Sequence, residues 1–308
     1  MAPRLKQLRV VDPVLTELAR GYSNASFIGE GLFPVVPMSK EGGEIPVFGK
    51  EMFRVYDTER ALRAGSNRIS PDDRTSIPVV LKEHDLEYPI DYREQDEDVF
   101  NLEQYGTEVV TEGLRLRHEK SCADLAQNSA SYTAGLAQAL SGTDMLSDAG
   151  SHPIALIKDM MATVRAKIGR DPNTLWFGDQ VFRVLSEHPD VVGKVKYVQK
   201  GVVTADMLAA LLDIDNVYVG KSIYMPTEGD MTDLWGNAFG GMYVAPQRQG
   251  GTRSYRDPSY GYTLRKNNYP QVDTYDEQGG KLHIVRNTDI EKVVVLGNDA
   301  GFLCTNAV

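Results

Sequence analysis

The sequence predicts an α+β fold, and three observations lead to this prediction. Residues 41–92 contain two extended runs around a polar tip, a pattern typical of a long β-hairpin. Residues 96–127 contain no proline and change from acidic to basic, which indicates one long helix aligned with its own dipole. Strand and helix patterns then alternate through residues 151–246, which predicts a small α/β domain.

The composition limits the classes of partner. The 308 residues carry 33 Lys and Arg against 43 Asp and Glu, a formal net charge of -10. This balance argues against wrapping nucleic acid and against docking to an anionic membrane surface, because both need clustered cations. No apolar run approaches the length of about 20 residues that spans a bilayer, and no apolar segment follows the basic N-terminus as in a secretory signal. We expect a cytoplasmic protein without a membrane partner.

The first two segments lack a core of their own. Residues 1–40 are dense in glycine and proline, which predicts an arm. In the hairpin of residues 41–92, the returning run alternates apolar residues and changes phase at His84 and Asp85, which indicates a bulge. Two isolated strands are marginal in water, so the hairpin must pack against something else.

The long helix is predicted to be a spine with a narrow inner face. The residues expected on that face are Val99, Leu102, Gly106, Val109, Gly113 and Leu116. A glycine inside a helix costs about 1 kcal/mol relative to alanine, so the two glycines predict that another backbone approaches closely. Residues 128–150 are rich in Ser, Ala, Gly and Asp, which predicts a linker or a mobile loop.

The remainder of the chain predicts short, regular elements. A helix should begin at Pro153 and end before Gly169, and Thr204 should cap another helix. Further strands are predicted at residues 174–177, 217–224 and 242–245, and a further helix at residues 180–187. Two C-terminal runs, residues 282–285 and 292–296, should form a sheet beside the spine helix.

The sequence contains no group of side chains at the spacing typical of a catalytic or metal-binding site. The histidines His84, His118, His152 and His188 have no partner at metal-ligand spacing, and a surface or capping role is expected for each. Cys122 and Cys304 are expected to be reduced and buried. We therefore predict no catalytic, cofactor-binding or metal-binding residue, although a convergent triad brought together by the fold stays open.

Two groups of short motifs together resemble a known family, the major capsid proteins of tailed bacteriophages. The first group lies near the N-terminus and comprises DPVLT at 12–16, GYSN at 21–24, LFPVV at 32–36 and PVFGK at 46–50. The second comprises DPNTLWFG at 171–178, HPD at 188–190, VKY at 195–197, GVVT at 201–204, LAAL at 208–211 and NVYVG at 216–220. These motifs are packing and turn signatures, so their specificity rests on their order and number.

The resemblance implies the Hong Kong 97-type capsid fold. Its parts would be an N-terminal arm at residues 1–40, an extended E-loop at 41–92, a P-domain with the spine helix at 93–150, an A-domain at 151–255, and C-terminal strands returning to the P-domain at 256–308. The function implied is that of a structural, non-enzymatic protein that self-assembles into the pentamers and hexamers of an icosahedral shell around double-stranded DNA. The chain would assemble in the cytoplasm of the bacterial host and reside in the virion capsid.

The resemblance also implies partners. The spine helix is expected to begin near residue 96, which leaves no room for a fused scaffold, so a separate scaffolding protein is expected, with a portal as a further partner. Whether a decoration protein is also used stays open. Packaged DNA would be enclosed without sequence-specific binding. Two alternatives stay open: an encapsulin-like shell around protein cargo, and a small-molecule enzyme in residues 151–246.

The candidate interaction site is the tip of the hairpin. Its charged residues are Arg60, Arg63, Arg68, Asp72, Asp73 and Arg74. On a monomer they would form a solvated loop, because exposed ion pairs contribute only about 0 to 1 kcal/mol. In a shell, repetition multiplies small pairwise energies, so we expect several of these arginines to face carboxylates of the adjacent subunit.

Overall fold

A computed structural model gives the fold. It describes residues 27–47, 58–60, 62, 66–67, 75–97, 101–195, 203–226, 229–247, 254 and 257–308. The helices in these ranges are α1 (Gly29–Leu32), α2 (Tyr92–Glu97), α3 (Leu102–Ala126), α4 (Pro153–Ile168), α5 (Asp179–Glu187), α6 (Pro189–Val195) and α7 (Ala205–Leu212). None of these helices combines the length and the apolar character needed to cross a membrane.

The strands complete the secondary structure of the described ranges. They are β1 (Val35–Met38), β2 (Gly42–Val47), β3 (Thr75–Val80), β4 (Lys82–Asp91), β5 (Ala137–Ala139), β6 (Thr174–Gly178), β7 (Asn216–Gly220), β8 (Ile223–Tyr224), β9 (Thr232–Asp233), β10 (Ala238–Met242), β11 (Gly261–Lys266), β12 (Gln271–Glu277), β13 (Leu282–Val295) and β14 (Gly301–Thr305). Short 3-10 helices cover Ser129–Ser131 and Gly142–Asp144.

The first sheet is built around β13. Its first part pairs antiparallel with β4 and with β12, one on each side, and its last part pairs with β11. Strand β1 joins β11 in parallel, with Val35 opposite Thr263. Helix α3 packs on one face of this sheet, where Asn287 donates to the Thr111 hydroxyl at 3.0 Å. This arrangement confirms the prediction of a C-terminal sheet beside the spine helix.

The second sheet has the strand order β5-β14-β10-β6-β7 and mixes parallel with antiparallel pairs. Every residue of β6 and β10 is buried, because α/β packing covers both faces of the central strands. Trp176, Trp235, Phe177, Phe239 and Phe302 are all fully buried in the core around this sheet. The C-terminal residues 256–308 therefore contribute strands to both sheets, since β14 lies here and β13 in the first sheet.

Helix α3 confirms the predicted spine but corrects its start and its inner face. The helix begins at Leu102 and not at residue 96, because the Asn101 side chain accepts hydrogen bonds from the N–H groups of Glu103 and Gln104 and caps it there. The buried face contains Val110 and not Val109, which is 40% exposed.

The prediction that another backbone approaches the two spine glycines was wrong, because the close neighbours are side chains. A Cβ on Gly106 would lie 2.8 Å from Tyr88 Cδ1, and a Cβ on Gly113 would lie 2.7 Å from Leu86 Cδ1. Both neighbours stand on β4, so α3 and this strand are packed closely through the two glycines.

The hairpin prediction is correct in its stem and wrong in its returning strand. Strands β2 and β3 pair antiparallel, with Ile45 opposite Ile77. The returning run is interrupted at Leu81 and not at His84 and Asp85, because β4 leaves the hairpin there and pairs with β13. The stem also contributes to a core, since Ile45 and Val79 are buried against the first sheet.

Residues 128–150 are not a mobile linker, and this prediction was wrong. Leu136, Leu140 and Leu146 are buried in the main core, and β5 pairs in parallel with β14. The polar residues between these leucines hid the apolar signal in the sequence.

Several local predictions are confirmed and others need correction. Helix α4 ends at Gly169, whose φ of 72° suits a glycine, and the Thr204 hydroxyl caps α7. The expected strand at residues 217–224 is divided into β7 and β8, and the one at 242–245 ends earlier, as β10. The two predicted C-terminal runs belong to the single strand β13.

Candidate functional site

The segment that leads out of the N-terminal arm is fixed to the body of the protein. Ile28, Leu32 and Phe33 are buried beside the C-terminal part of α3. The Glu119 carboxylate of α3 accepts hydrogen bonds from the N–H groups of Ile28 at 2.9 Å and Gly29 at 2.7 Å. We call residues 27–34 the arm root. Its position is therefore set by both apolar burial and directed hydrogen bonds.

A charged cluster joins the arm root, α3 and the first sheet. Arg265 on β11 contacts Asp289 at 3.0 Å and Glu291 at 2.8 Å, both on β13, and approaches Glu30 in α1 at 3.5 Å. Arg117 on α3 pairs with the other oxygen of Glu291 at 3.2 Å. Because the carboxylates of Asp289 and Glu291 are buried and paired, removal of either arginine would leave uncompensated charge in the interior.

Burial shifts the pKa values of two groups in this cluster. It raises the pKa of Asp289 to about 6, and the charge of Glu291 adds to that rise while Arg265 opposes it. Burial also lowers the pKa of His118 to about 4, with Arg265 adding to the effect. His118 is therefore neutral at pH 7, and its approach of 3.9 Å to Glu291 is not an ion pair. The expected surface or capping role of His118 was wrong, because the ring is buried and contacts the Thr263 hydroxyl at 3.0 Å.

The sheet face opposite α3 carries many carboxylates. Residues that lie directly opposite each other on neighbouring strands point to the same face of a sheet. In the strand register, Arg286 of β13 lies opposite Glu87 of β4 and opposite Asp273 of β12. We call this surface the acidic face; its carboxylates are Glu83, Asp85, Glu87, Asp91, Asp273 and Glu277. Five of the six are exposed, and Asp91 is half-buried.

The acidic face has internal order. Arg286 binds Asp273 through two hydrogen bonds, at 3.1 and 2.6 Å, and its guanidinium lies 5.3 Å from the centre of the Tyr275 ring. The Tyr275 hydroxyl donates to Glu87 at 2.8 Å. The six carboxylates outnumber Arg286 and the two lysines on the same side of the sheet, Lys266 and Lys292, so this surface stays negative. No group of metal ligands occurs among the described residues.

The residues predicted at the hairpin tip stand mostly outside the described ranges. Arg60 is described and exposed. Arg63, Arg68, Asp72, Asp73 and Arg74 lie outside the described residues, so the expected contacts of the tip stay a prediction. Sequence reasoning missed the acidic face, although Glu83, Asp85 and Glu87 alternate with period two and so had to share one side of a strand.

The α/β segment offers no accessible chemistry at its best polar pair. His188 Nε2 lies 3.1 Å from the Ser151 hydroxyl, and both residues are buried. The Nδ1 atom of His188 accepts the N–H of Asp190 at 3.1 Å, so the ring caps α6, which confirms the predicted role for this histidine. Cys122 and Cys304 are buried, and burial raises the pKa of both thiols, which makes them poor nucleophiles.

The fold is shared with a phage capsid structure and an encapsulin structure. The mature capsid protein of bacteriophage PhiM1 matches with a TM-score of 0.57 and 11% identity over 92% of this chain and 87% of that one. An encapsulin from Synechococcus elongatus PCC 7942 matches with a TM-score of 0.55 and 12% identity over 96% and 95%. Likeness at this level of identity shows the fold alone, a mixed α/β fold found in phage capsid structures.

Closer relatives identify the family. The chain is 52% identical over 300 residues to the major capsid protein of Burkholderia phage BcepMu, with 97% of each chain covered. It is 29% identical over 221 residues to the major capsid protein of Pseudomonas phage JBD67, with 69% of each covered. A crystal structure of a phage-related protein from Bordetella bronchiseptica RB50 has a TM-score of 0.76 and 30% identity, covering 97% and 98%. No family model matches the sequence. The chain belongs to the phage major capsid proteins, a structural family.

Proposed function

We propose that this chain is the repeating subunit of an icosahedral phage head, assembled from pentamers and hexamers around double-stranded DNA. The observation that carries the proposal is the 52% identity to a phage major capsid protein over nearly the full length of both chains. Identity at this level favours a phage head over the encapsulin-like alternative, which rests on fold likeness alone. The buried polar pair in residues 151–246 gives no support to a small-molecule enzyme.

We assign the described elements to the parts of the Hong Kong 97-type fold within this proposal. The arm (1–40) contains the arm root and β1, the E-loop (41–92) has β2 and β3 as its stem, and the P-domain (93–150) contains α3. The A-domain (151–255) holds β6, β7 and β10, and the C-terminal strands (256–308) complete both sheets. These boundaries are part of the proposal.

The proposed lateral contact pairs the hairpin tip of one subunit with the acidic face of its neighbour. The tip carries Arg60, Arg63, Arg68 and Arg74 beside Asp72 and Asp73, so its arginines outnumber its aspartates, whereas the acidic face carries six carboxylates. Opposite charges at a repeated interface fix register and exclude wrong pairings. The same negative charge keeps subunits from condensing on host DNA, so DNA is enclosed without sequence-specific contacts. A scaffolding protein and a portal are the further partners proposed in the host cytoplasm and in the virion.

Charge reversal tests this contact. The double substitution Arg63→Glu and Arg68→Glu should abolish particles in negative-stain images while the melting temperature of the unassembled chain stays unchanged. Adding Glu83→Arg and Asp85→Arg should restore particles, because both exposed residues lie on the acidic face. Lys158→Glu with Lys221→Glu is the matched control, since these exposed lysines lie on other parts of the chain and should tolerate reversal.

Two outcomes count against the contact. Normal particles from the tip variant would show that the tip arginines are dispensable. If the variant that combines the two tip substitutions with Glu83→Arg and Asp85→Arg still forms no particles, the tip contacts another surface. Absence of particles from the unsubstituted chain, expressed with its scaffolding protein, would contradict the proposed function itself.

A further inference from the structure

Glu119 is a buried carboxylate at the point where α3 meets the arm root. The residue is 1% exposed, and its side chain accepts three hydrogen bonds, from Ile28 N–H at 2.9 Å, Gly29 N–H at 2.7 Å and the Trp235 indole N–H at 2.8 Å. The donors come from two segments that are far apart in sequence. One carboxylate on α3 therefore holds the arm root and the loop after β9 together.

The contact with the arm root requires a close approach of backbone to carboxylate. A Cβ on Gly29 would lie 2.6 Å from Glu119 Oε2 and 3.0 Å from Cys122 Cβ, so any larger residue displaces the root. The N–H groups at the start of α1 have no partner within that helix, and Glu119 supplies the acceptor that they need. Sequence, geometry and hydrogen bonding agree at this position.

The contact with Trp235 reaches into the second sheet. The Trp235 ring lies 5.2 Å from the Trp176 ring of β6. It also covers Gly220 of β7, where a Cβ would lie 2.2 Å from Trp235 Cδ1. Because the ring is wedged between these neighbours, its N–H has a fixed direction, and Glu119 joins α3 to a rigid part of the second sheet.

The energetics distinguish this carboxylate from a packing residue. Burial raises the pKa of Glu119, while the hydrogen bonds from Ile28, Gly29 and Trp235 lower it. An apolar residue of similar size would avoid the cost of burying a charge, so stability alone does not explain a glutamate here. Directed hydrogen bonds to two separate segments are what an apolar residue cannot supply.

We infer that Glu119 is a positioning residue that fixes the arm root on α3 and couples its position to the second sheet. The inference rests on the proposed function, because its effect on particles presupposes that the chain assembles. We call the arm root, α3 and the loop that carries Trp235 the joint, because Glu119 holds the three together as one rigid unit.

Hydrogen exchange on the unassembled chain tests the joint directly. Glu119→Gln keeps the shape of the side chain but replaces one carboxylate oxygen by an NH2 group, which cannot accept from Gly29 N–H in one amide orientation or from Ile28 and Trp235 N–H in the other. We expect amide exchange in residues 27–34 to accelerate by at least about tenfold, while exchange within α4 stays unchanged. Trp235→Phe is the matched control: it removes one donor but leaves both arm-root bonds, so exchange in residues 27–34 should change much less.

Assembly supplies the functional measurement. Glu119→Gln should give few particles or particles of mixed size under conditions in which the unsubstituted chain gives uniform ones. Gly29→Ala displaces the root without altering the sequence of α3, so it should reproduce both effects even where Glu119→Gln fails to fold.

The outcomes separate this inference from the proposed function. The positioning role of Glu119 would be overturned if amide exchange in residues 27–34 were unchanged in both Glu119→Gln and Gly29→Ala. It would also be overturned if exchange accelerated but the particles stayed uniform. Failure of the unsubstituted chain to form particles would overturn the proposed function instead, and the exchange result for the joint would still stand by itself.

Discussion

Alanine substitutions at the two spine glycines should have opposite effects on stability. In a helix interior, glycine to alanine gains about 1 kcal/mol from the reduced backbone entropy of the unfolded chain. At Gly113, the one described atom that the new Cβ would crowd is Leu86 Cδ1, at 2.7 Å. Leu86 is 42% exposed, so the end of its side chain can rotate away into solvent. Gly113→Ala should therefore stabilise the protein by about 0.5 to 1 kcal/mol.

At Gly106 the same substitution meets a rigid neighbour. The Cβ would lie 2.8, 3.2 and 3.4 Å from the Cδ1, Cγ and Cβ atoms of Tyr88. The Tyr88 ring is held edge-on to Tyr105 at 5.9 Å, so it cannot rotate away and the strand must shift. Overpacking costs about 1 to 3 kcal/mol, which offsets or exceeds the helical gain. Gly106→Ala should therefore be neutral to destabilising by about 2 kcal/mol.

Urea unfolding of the unassembled chain, followed by circular dichroism, measures the difference between the two variants. Equal m values would show that both unfold from the same native state, so that the midpoints can be compared. A Gly106→Ala variant at least as stable as Gly113→Ala would refute the reasoning, because it would show that Tyr88 does not fix the spacing between α3 and β4.

Two further predictions concern the hairpin and the charged cluster. Replacing residues 48–74 by a short Gly/Ser linker should leave a folded chain that forms no particles in negative stain, because the stem and β4 are retained; loss of the folded state would show that the tip is a folding element. Because the pKa of His118 is lowered from 6.5 to about 4, the unfolded chain binds a proton first as the pH falls, and stability is lost below pH 6.5. His118→Gln should reduce the loss between pH 7 and pH 5 by about 2 kcal/mol in urea titrations, and an equal loss in both proteins would contradict the shift.

The helix boundaries that were predicted correctly are those set by residues close by in the sequence. Pro153 and Gly169 mark the two ends of α4, and Thr204 caps α7, because each acts on the backbone within a few residues. Residues 128–150 were mispredicted because their order comes from β14 and the main core, far along the chain. Composition within a window cannot register such partners.

The polar contacts were beyond prediction for the same reason. Glu119 and its arm-root donors are separated by 90 and 91 positions, and Arg117 and Glu291 by 174. A glutamate in a helix rich in charged residues looks like a solvated side chain until its burial is known. The acidic face was different, since the alternation of carboxylates along β4 is visible in the amino-acid sequence and is enough to place them on one side of the strand.

The course of the chain from β3 into β4 has a mechanical consequence. A neighbour that pulls on the hairpin pulls along the axis of β4, which is held to β13 by ten successive residue pairs. Hydrogen bonds in an antiparallel ladder run perpendicular to the strands, so an axial force shears them together and does not open them one at a time. The load then spreads from β13 to β12 and β11 across the first sheet. In a shell of subunits joined in this way, an outward pressure would be carried as tension along the strands of each first sheet.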